Sequence, residues 1–264
     1  MTTVLYLLKD GDAEGAEDLR LSLRSLDHAF PDDEIRVAVA TEAAPPWFAG
    51  RHVACTDLKN GLGKHWSMMR KVRTAIGELG LDEPFLLSSD DHIAPLEPPC
   101  RIADWPRLAR KTGLDRFLSN AEKHATKWRR SVGWARGVVS ASYGRPPSQL
   151  VMATHRNTWI DPRCLPAVER LFPEPPGPVF DFGELHGPSP DDTFGAVAVA
   201  EGLVREGDYV RVGDRKTADA GKFFQTYLSD KDAGRYGCSI PPGADAVRAP
   251  LWRIFRRPSR WERA

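Results

Sequence analysis

The sequence predicts an α/β protein: a mixed, mostly parallel β-sheet flanked by helices. Two observations lead to this fold class. Short apolar, β-branched runs alternate with segments of helical periodicity early in the chain, the order expected for parallel strands with helices on the sheet faces. Charged residues follow directly after two of these runs, where parallel sheets bind their ligands. No internal repeat or linker divides the chain, so we expect one domain over residues 1–264.

The N-terminal elements follow from the spacing of apolar residues. Thr3 to Leu8 is an apolar run that stops at a polar turn, and the next segment places Leu19, Leu23 and Leu26 at helical intervals. Glycines and prolines mark where later elements end. The pattern predicts strands at 3–8, 34–40, 51–55 and from 84 into the acids at 90–91, with helices at 14–29 and 64–79.

Clusters of proline cut the second half of the chain into short pieces. We expect a helix or two within residues 101–137, in a stretch that is basic and aromatic. A helix is also predicted from Asp191 to Glu201, since the acids in its first turn favour the helix dipole. The last segment, from Arg248 to Ala264, holds six arginines and two tryptophans.

Composition excludes several classes of protein. With 264 residues, 41% hydrophobic and 28% charged, the chain is typical of a folded globular protein rather than a disordered one. It contains no apolar stretch of the ~18 residues that span a bilayer, and its N-terminus lacks the basic start of a signal peptide, so we expect a cytoplasmic protein. The four cysteines are scattered, which favours reduced thiols. Because 37 basic residues balance 36 acidic ones, nucleic-acid binding would need local basic patches.

Two adjacent carboxylates, Asp90 and Asp91, follow the apolar strand that begins at Pro84. Carboxylates at a strand end supply the hard oxygen ligands that Mg²⁺ and Mn²⁺ prefer, and such an ion can bridge a diphosphate. The alternative is a solvated strand end or a cap for the next helix. The pair is therefore a candidate metal site.

A second acidic pair, Asp191 and Asp192, opens the predicted helix after a proline-rich loop. A carboxylate held at a helix start beside a cleft can act as general base on an acceptor hydroxyl. The alternative is that one of the two simply caps the helix.

Lysine and glycine residues precede the helix predicted at 64–79, in the run from Lys59 to Trp66. A glycine-rich turn with lysine at a helix N-terminus suits phosphate, although the Walker spacing is absent. Lys64 and Arg70 are the candidate phosphate contacts, and they need not share a face of the helix. The alternative is a solvated basic helix face.

Basic and aromatic residues interleave at two places. The first includes Lys127, Trp128, Arg130 and Trp134, and the tail from Arg248 repeats the pattern. Arginine for phosphates with tryptophan for stacking is the combination found in nucleic-acid grooves and sugar sites. The alternative is a surface helix whose tryptophans pack inward, and a tail that docks on the protein.

Together these segments resemble a GT-A glycosyltransferase. The resemblance rests on the N-terminal βαβ pattern, the DxD-like Ser-Ser-Asp-Asp-His at 88–92 and Pro-Asp-Asp-Thr-Phe-Gly at 190–195. More narrowly, residues 17–26 (EDLRLSLRSL), 85–92 and 258–262 (PSRWE) are similar to segments of phage and bacterial glycosyltransferase-like proteins. That group includes the capsule-transferring Stealth proteins and phage enzymes that glycosylate modified DNA bases.

The resemblance implies a GT-A-like fold with a nucleotide-binding half at 1–95 and an acceptor-binding half with the C-terminal tail at 96–264. It also implies a nucleotide-diphospho-sugar donor, UDP-linked, and a Mn²⁺ or Mg²⁺ ion. A retaining reaction would need no base, whereas an inverting one would use Asp192 or Asp191. The donor contacts implied are Tyr6, Lys9, Lys64, Arg70 and Asp90, and the implied metal ligands are Asp91 and Asp90.

For the acceptor, the resemblance favours a 5-hydroxymethylated pyrimidine such as 5-hydroxymethylcytosine in phage DNA, contacted by the basic and aromatic stretch around Trp128 and Trp134. A cell-surface glycan or a protein is the rival acceptor. The rival functions are sugar-phosphate transfer to such a glycan or protein, nucleotidyl transfer, and nucleotide binding without catalysis. The acidic motif departs from a plain Asp-x-Asp and no histidine follows His186, so the choice of metal-binding aspartate and the need for a metal stay open at this point.

Overall fold

A computed structural model describes residues 1–58, 62–105, 108–111, 127–145, 157–175, 186–205, 209–212, 218–228 and 237–263, and of 13, 14, 108–111, 127–129 and 209–212 it describes the backbone alone. The strands are β1 (Thr2–Leu7), β2 (Ile35–Thr41), β3 (Arg51–Ala54), β4 (Phe85–Ser88), β5 (His92–Ile93), β6 (Leu108–Lys111), β7 (Thr158–Ile160), β8 (Tyr209–Val212) and β9 (Cys238–Ser239). The α-helices are α1 (Ala13–Ala29), α2 (Lys64–Leu79), α3 (Lys127–Tyr143), α4 (Leu165–Leu171), α5 (Pro190–Ala200), α6 (Ala220–Tyr227) and α7 (Asp245–Ile254).

The central sheet has five strands in the order β3-β2-β1-β4-β7. β1 runs parallel to β2 and β4, β2 runs parallel to β3, and β7 pairs antiparallel with β4. The expected fold class, a mixed, mostly parallel sheet flanked by helices, is therefore confirmed. Two small strand pairs lie apart from this sheet: β5 with β9, antiparallel, and β6 with β8, parallel.

Alternation along β1 gives the sheet two apolar faces, because successive side chains of a strand point to opposite sides. Val4 and Tyr6 pack in one core with Leu19 and Leu23 of α1. Leu5 packs in the other core, together with apolar side chains of α2 and α5. The sheet is thus covered by helices on both sides, which explains why its strands are almost continuously apolar.

Local sequence signals account for the element boundaries. The predicted helices at 14–29, 64–79 and 191–201 correspond to α1, α2 and α5. α2 ends where Gly80 adopts a left-handed φ of 60°, a conformation that glycine takes without a steric penalty. The antiparallel edge strand β7 carries no comparable signal in the sequence. No helix in the described part of the chain is long and apolar enough to cross a membrane.

The C-terminal tail docks on α1, as the second of the two interpretations of this segment expects. The Glu262 carboxylate accepts hydrogen bonds from Arg20 Nε at 2.5 Å and from Arg24 Nε at 2.8 Å. Trp261 is buried, and its carbonyl accepts a hydrogen bond from the amide of Ala49 at 2.8 Å. Several arginines and tryptophans of the tail therefore serve intramolecular contacts, including Arg260, whose guanidinium lies 5.2 Å from the Trp261 ring.

Candidate functional site

A cavity of about 600 Å³ lies beyond the carboxyl ends of β1 and β4. These two strands are neighbours in the middle of the sheet, and the chain leaves β1 toward β2 but reaches β4 from β3, on the other side. Such a reversal in strand order is where open α/β sheets bind ligands. The first turns of α1, α2 and α5 also line the cavity, so backbone from distant parts of the chain converges there.

Both carboxylates of the predicted metal pair, Asp90 and Asp91, line this cavity. Ser89 Oγ lies 2.6 Å from Asp91 Oδ1 and 3.3 Å from Asp90 Oδ1, which ties the two acids together. Burial, followed by the negative charges of Asp91 and Asp18, raises the pKa of Asp90 to about 7. The site therefore concentrates negative charge that a bound cation would stabilise.

The residues present fit a divalent ion that is shared with a substrate. Within the described residues, no group of three or more His, Cys, Asp or Glu side chains could hold a metal ion. Mg²⁺ is usually bound by one or two carboxylates with water and substrate phosphates completing its shell. Asp90 and Asp91 together match that smaller donor set.

Positively charged side chains also line the cavity. Lys9 directly follows β1, and Lys64 is the first residue of α2; both line the cavity. The N-cap of α2 is Gly63, which has no side chain to cap the helix. A helix N-terminus with an adjacent lysine attracts anions. Arg70, the other predicted phosphate contact, lies outside this lining and pairs instead with Glu174, at 2.6 Å between Nη2 and Oε1.

A buried lysine to which the sequence assigned no role, Lys71, holds together the loops after β1 and β3. Its Nζ donates to the Leu8 carbonyl at 2.7 Å and lies 3.1 Å from Asp10 Oδ1 and 2.8 Å from Asp57 Oδ1. The two aspartates also accept hydrogen bonds from each other's amides, at 3.0 and 2.6 Å. Burial alone would raise the pKa of Asp10, but the amides of Asp57 and Glu42 and the Lys71 ammonium lower it below its usual value.

The two acids at the start of α5 occupy different environments. Asp191 lines the cavity and accepts a hydrogen bond from Ser189 Oγ. Asp192 is buried and forms a bidentate ion pair with Arg136 of α3, with distances of 3.0 and 3.3 Å. Burial raises the pKa of Asp192, while Arg136 opposes that rise. The two acids therefore differ in placement: Asp191 lies on the cavity wall, whereas Asp192 is paired with Arg136 and joins two helices.

Two other predicted contacts, Tyr6 and Trp134, pack against neighbouring side chains. Tyr6 is buried beneath the sheet surface, with its hydroxyl 3.1 Å from Ser22 Oγ, so it does not reach the cavity wall as the donor assignment requires. Trp134 packs between aromatic rings, 6.4 Å from that of Trp66 and 5.4 Å from that of Phe172. Tyr6 is thus placed in the core rather than on the cavity wall, whereas Trp134 is half-buried and its acceptor contact stays a prediction. Their apolar rings are used by the core.

Three other residues were predicted to contact the acceptor: Lys127, Trp128 and Arg130. Arg130 of α3 is exposed. Lys127 and Trp128 lie in the first turn of α3, but their side chains fall outside the described residues. Their acceptor contacts therefore stay a prediction.

An ion pair that the sequence did not predict also borders the cavity. Asp18 of α1 lines the cavity and accepts hydrogen bonds from Arg248 of α7, at 2.7 Å from Nε and 2.8 Å from Nη2. Both partners are largely buried.

The sequence carried only a weak signal that the buried Lys71 has a structural role. Lys71 shares a helix face with the buried residues Ser67 and Ala75, and a charged residue on such a face requires a partner.

Comparison with known proteins leaves the family open. No protein-family model and no curated protein matches the chain. A crystal structure of the galactosyltransferase LgtC, in complex with donor and acceptor sugar analogues, aligns with 96% of this chain and 100% of its own at 12% identity and a TM-score of 0.46. An active-site mutant of LgtC aligns over the same shares at 13% identity and a TM-score of 0.44. Likenesses this distant carry no argument about what the chain does.

Proposed function

We propose that this chain transfers a glycosyl group from a nucleoside-diphospho-sugar, UDP-linked, to an acceptor hydroxyl. The observation that carries the proposal is the convergence of Asp90, Asp91, Lys9 and Lys64 on one cavity at the strand-order reversal. Carboxylates for a cation and lysines for phosphate are the complement of a metal-bound diphosphate. The sequence resemblance to GT-A glycosyltransferases supports a sugar as the group transferred.

In the proposed complex, Asp90 and Asp91 hold Mg²⁺ or Mn²⁺, and Lys9 and Lys64 lie against the diphosphate. The ion would offset the negative charge that develops on the leaving diphosphate. The lysines and the N-terminus of α2 add positive potential in the same place. The distal parts of the donor would occupy the remainder of the cavity, which at about 600 Å³ is within the range of small-molecule sites.

Asp191 is the proposed general base of an inverting reaction. It would accept the proton of the acceptor hydroxyl while that oxygen bonds to the anomeric carbon and the bond from that carbon to the diphosphate breaks. The position of Asp191 on the cavity wall, beside Ser189, supports this role. Asp192 is the weaker candidate for the base, since its carboxylate is buried in the ion pair with Arg136.

The favoured acceptor remains a 5-hydroxymethylated pyrimidine in phage DNA. This choice of acceptor rests on the sequence resemblance. Trp134 adds little support, because its ring packs against those of Trp66 and Phe172. A cell-surface glycan or a protein is the alternative. Phosphate contacts make DNA binding fall steeply with salt. Acceptor binding that is insensitive to salt would therefore exclude DNA.

A thermal-shift screen of nucleotide-sugars, with and without Mn²⁺, tests the donor. A donor that binds the folded chain raises its melting temperature by mass action, and the hit identifies base and sugar. Transfer is then measured as release of nucleoside diphosphate in the wild type, Asp91→Ala and Asp191→Ala. Asp32→Ala, an exposed acid in the turn after α1, is the control.

We expect Asp91→Ala to lose both the Mn²⁺-dependent shift and transfer, and Asp191→Ala to bind donor but lose transfer. Full activity in both variants would refute this site. A screen without any stabilising nucleotide-sugar would refute the function itself, and release of pyrophosphate would favour nucleotidyl transfer instead.

A further inference from the structure

Two buried polar side chains of α3, Ser131 and Arg136, reach the segment that carries Asp191. Both are almost completely buried, with exposed fractions of 0% and 1%. Ser131 Oγ donates a hydrogen bond to the Gly187 carbonyl. Arg136 binds Asp192, so α3 holds this segment on both sides of Asp191.

The same segment is packed tightly against the start of α2. A Cβ added to Gly187 would come within 2.7 Å of the Trp66 ring, and one added to Gly63 within 2.5 Å of the His186 Cα. His65 Nδ1, 2.9 Å from Ser131 Oγ, links α2 to this contact. Since α2 also carries Lys64, the segment holding Asp191 and the phosphate-binding end of the cavity are fixed to each other.

We infer that Ser131 and Arg136 are positioning residues that hold Asp191 in place on the cavity wall, where it would meet the acceptor hydroxyl. The inference rests on the proposed function and deepens it. Two residues of the helix that carries the predicted acceptor contacts, Ser131 and Arg136, thereby gain a different role: they face inward and orient the base. Arg136 acts through the Asp192 ion pair, which fixes the first turn of α5 one residue from Asp191.

Catalysis is sensitive to such placement. Displacing a reacting group by about 1 Å can reduce the rate about 100-fold, even when the mutation lies away from the reacting atoms. Donor binding, by contrast, is proposed to use Lys9, Lys64 and the Asp90–Asp91 pair, whereas the ion pair described for Arg136 is with Asp192. Loss of the Arg136–Asp192 pair should therefore lower kcat and leave the KM for donor nearly unchanged.

The test compares Arg136→Gln and Ser131→Ala with the wild type in steady-state transfer assays. Because Arg136→Gln leaves the Asp192 charge buried and can impair folding, the double variant Arg136→Gln/Asp192→Asn, which removes both charges, is measured as well. Arg24→Gln is the matched control: it breaks a largely buried ion pair with Glu262, remote from α5. All variants are assayed at a temperature where circular dichroism shows them folded.

We expect kcat to fall about 100-fold in Arg136→Gln and in the double variant, to fall in Ser131→Ala, and to stay unchanged in Arg24→Gln. In an Asp191→Asn background, Arg136→Gln should cause no further loss, because it acts through Asp191. Hydrogen exchange of the amides at 191–194 should quicken in Arg136→Gln, which is a readout independent of transfer.

Three results would overturn the inference. The first is wild-type kcat in the folded Arg136 variants. The second is an additional loss of kcat when Arg136→Gln is added to Asp191→Asn. The third is unchanged hydrogen exchange of the amides at 191–194. Failure of the proposed function is recognised separately, since the wild type itself would then show no transfer with any donor.

Discussion

The Glu262 carboxylate gives the clearest quantitative test of how the C-terminal tail is held. Its side chain is only 1% exposed and contacts Arg20 and Arg24. Burial would raise the pKa of Glu262, but hydrogen bonds from Arg24, Arg20 and the Ser259 amide outweigh it and lower the pKa from 4.5 to about 2. At ~1.4 kcal/mol per pKa unit, this corresponds to about 3 kcal/mol of stability.

The pH dependence follows from the sign of this change. Because the pKa is lower in the folded chain than in the unfolded one, the stabilisation is fully present above about pH 4.5 and is lost as the pH falls toward 2. Glu262→Gln mimics the protonated side chain and should lower the free energy of unfolding by about 3 kcal/mol at pH 7. Wild type and variant should converge as the pH falls below 4.5.

Urea denaturation of both proteins at a series of pH values from 7 downward measures this difference directly. Asp27→Asn, which breaks the partly exposed pair with Arg260, is the control and should cost less than about 1 kcal/mol. The reasoning would be refuted if wild type and Glu262→Gln differed little in free energy of unfolding at pH 7, or if their difference stayed constant as the pH falls.

Two further variants probe the cavity walls. Lys71→Met removes the ammonium between Asp10 and Asp57. Because breaking a buried ion pair costs ~3–5 kcal/mol, we expect the free energy of unfolding from urea denaturation to fall by that amount and donor binding to weaken. Unchanged stability would contradict the buried cluster. Gly187→Ala places a Cβ at a left-handed φ of 86° and against Trp66, so we expect a loss of about 2–5 kcal/mol from strain and overlap. Gly77→Ala, where a Cβ meets open space within α2, should be neutral or stabilising by about 1 kcal/mol, and equal effects of the two glycine variants would argue against the close contact.

The parts of the fold that could be predicted from sequence are those that depend on local spacing. The helices α1, α2 and α5 and the strands β1 to β3 follow from apolar periodicity and from breakers such as Gly80. The same holds for Asp90 and Asp91, whose place at a strand end is a local property. In a parallel sheet, that place also brings them to the ligand-binding edge.

The parts that could not be predicted depend on partners far along the chain. Asp191 and Asp192 are equivalent in sequence, and only the distant Arg136 decides which of them is turned away from the cavity. Trp134 had two interpretations, and the ring of the distant Phe172, which packs against it, could not be inferred from local spacing. The antiparallel strand β7 has only three residues, too few for a periodic signal.

The cavity lining spans most of the chain, from Leu7 in β1 to Pro242 near its far end. Contacts between such distant segments are slow to form, because loop closure must precede the interactions that stabilise them. The site can therefore exist only once the whole topology is assembled. A partly folded intermediate would have no affinity for the donor, so the nucleotide would act as a selective reporter of complete folding and protect only the finished chain from unfolding.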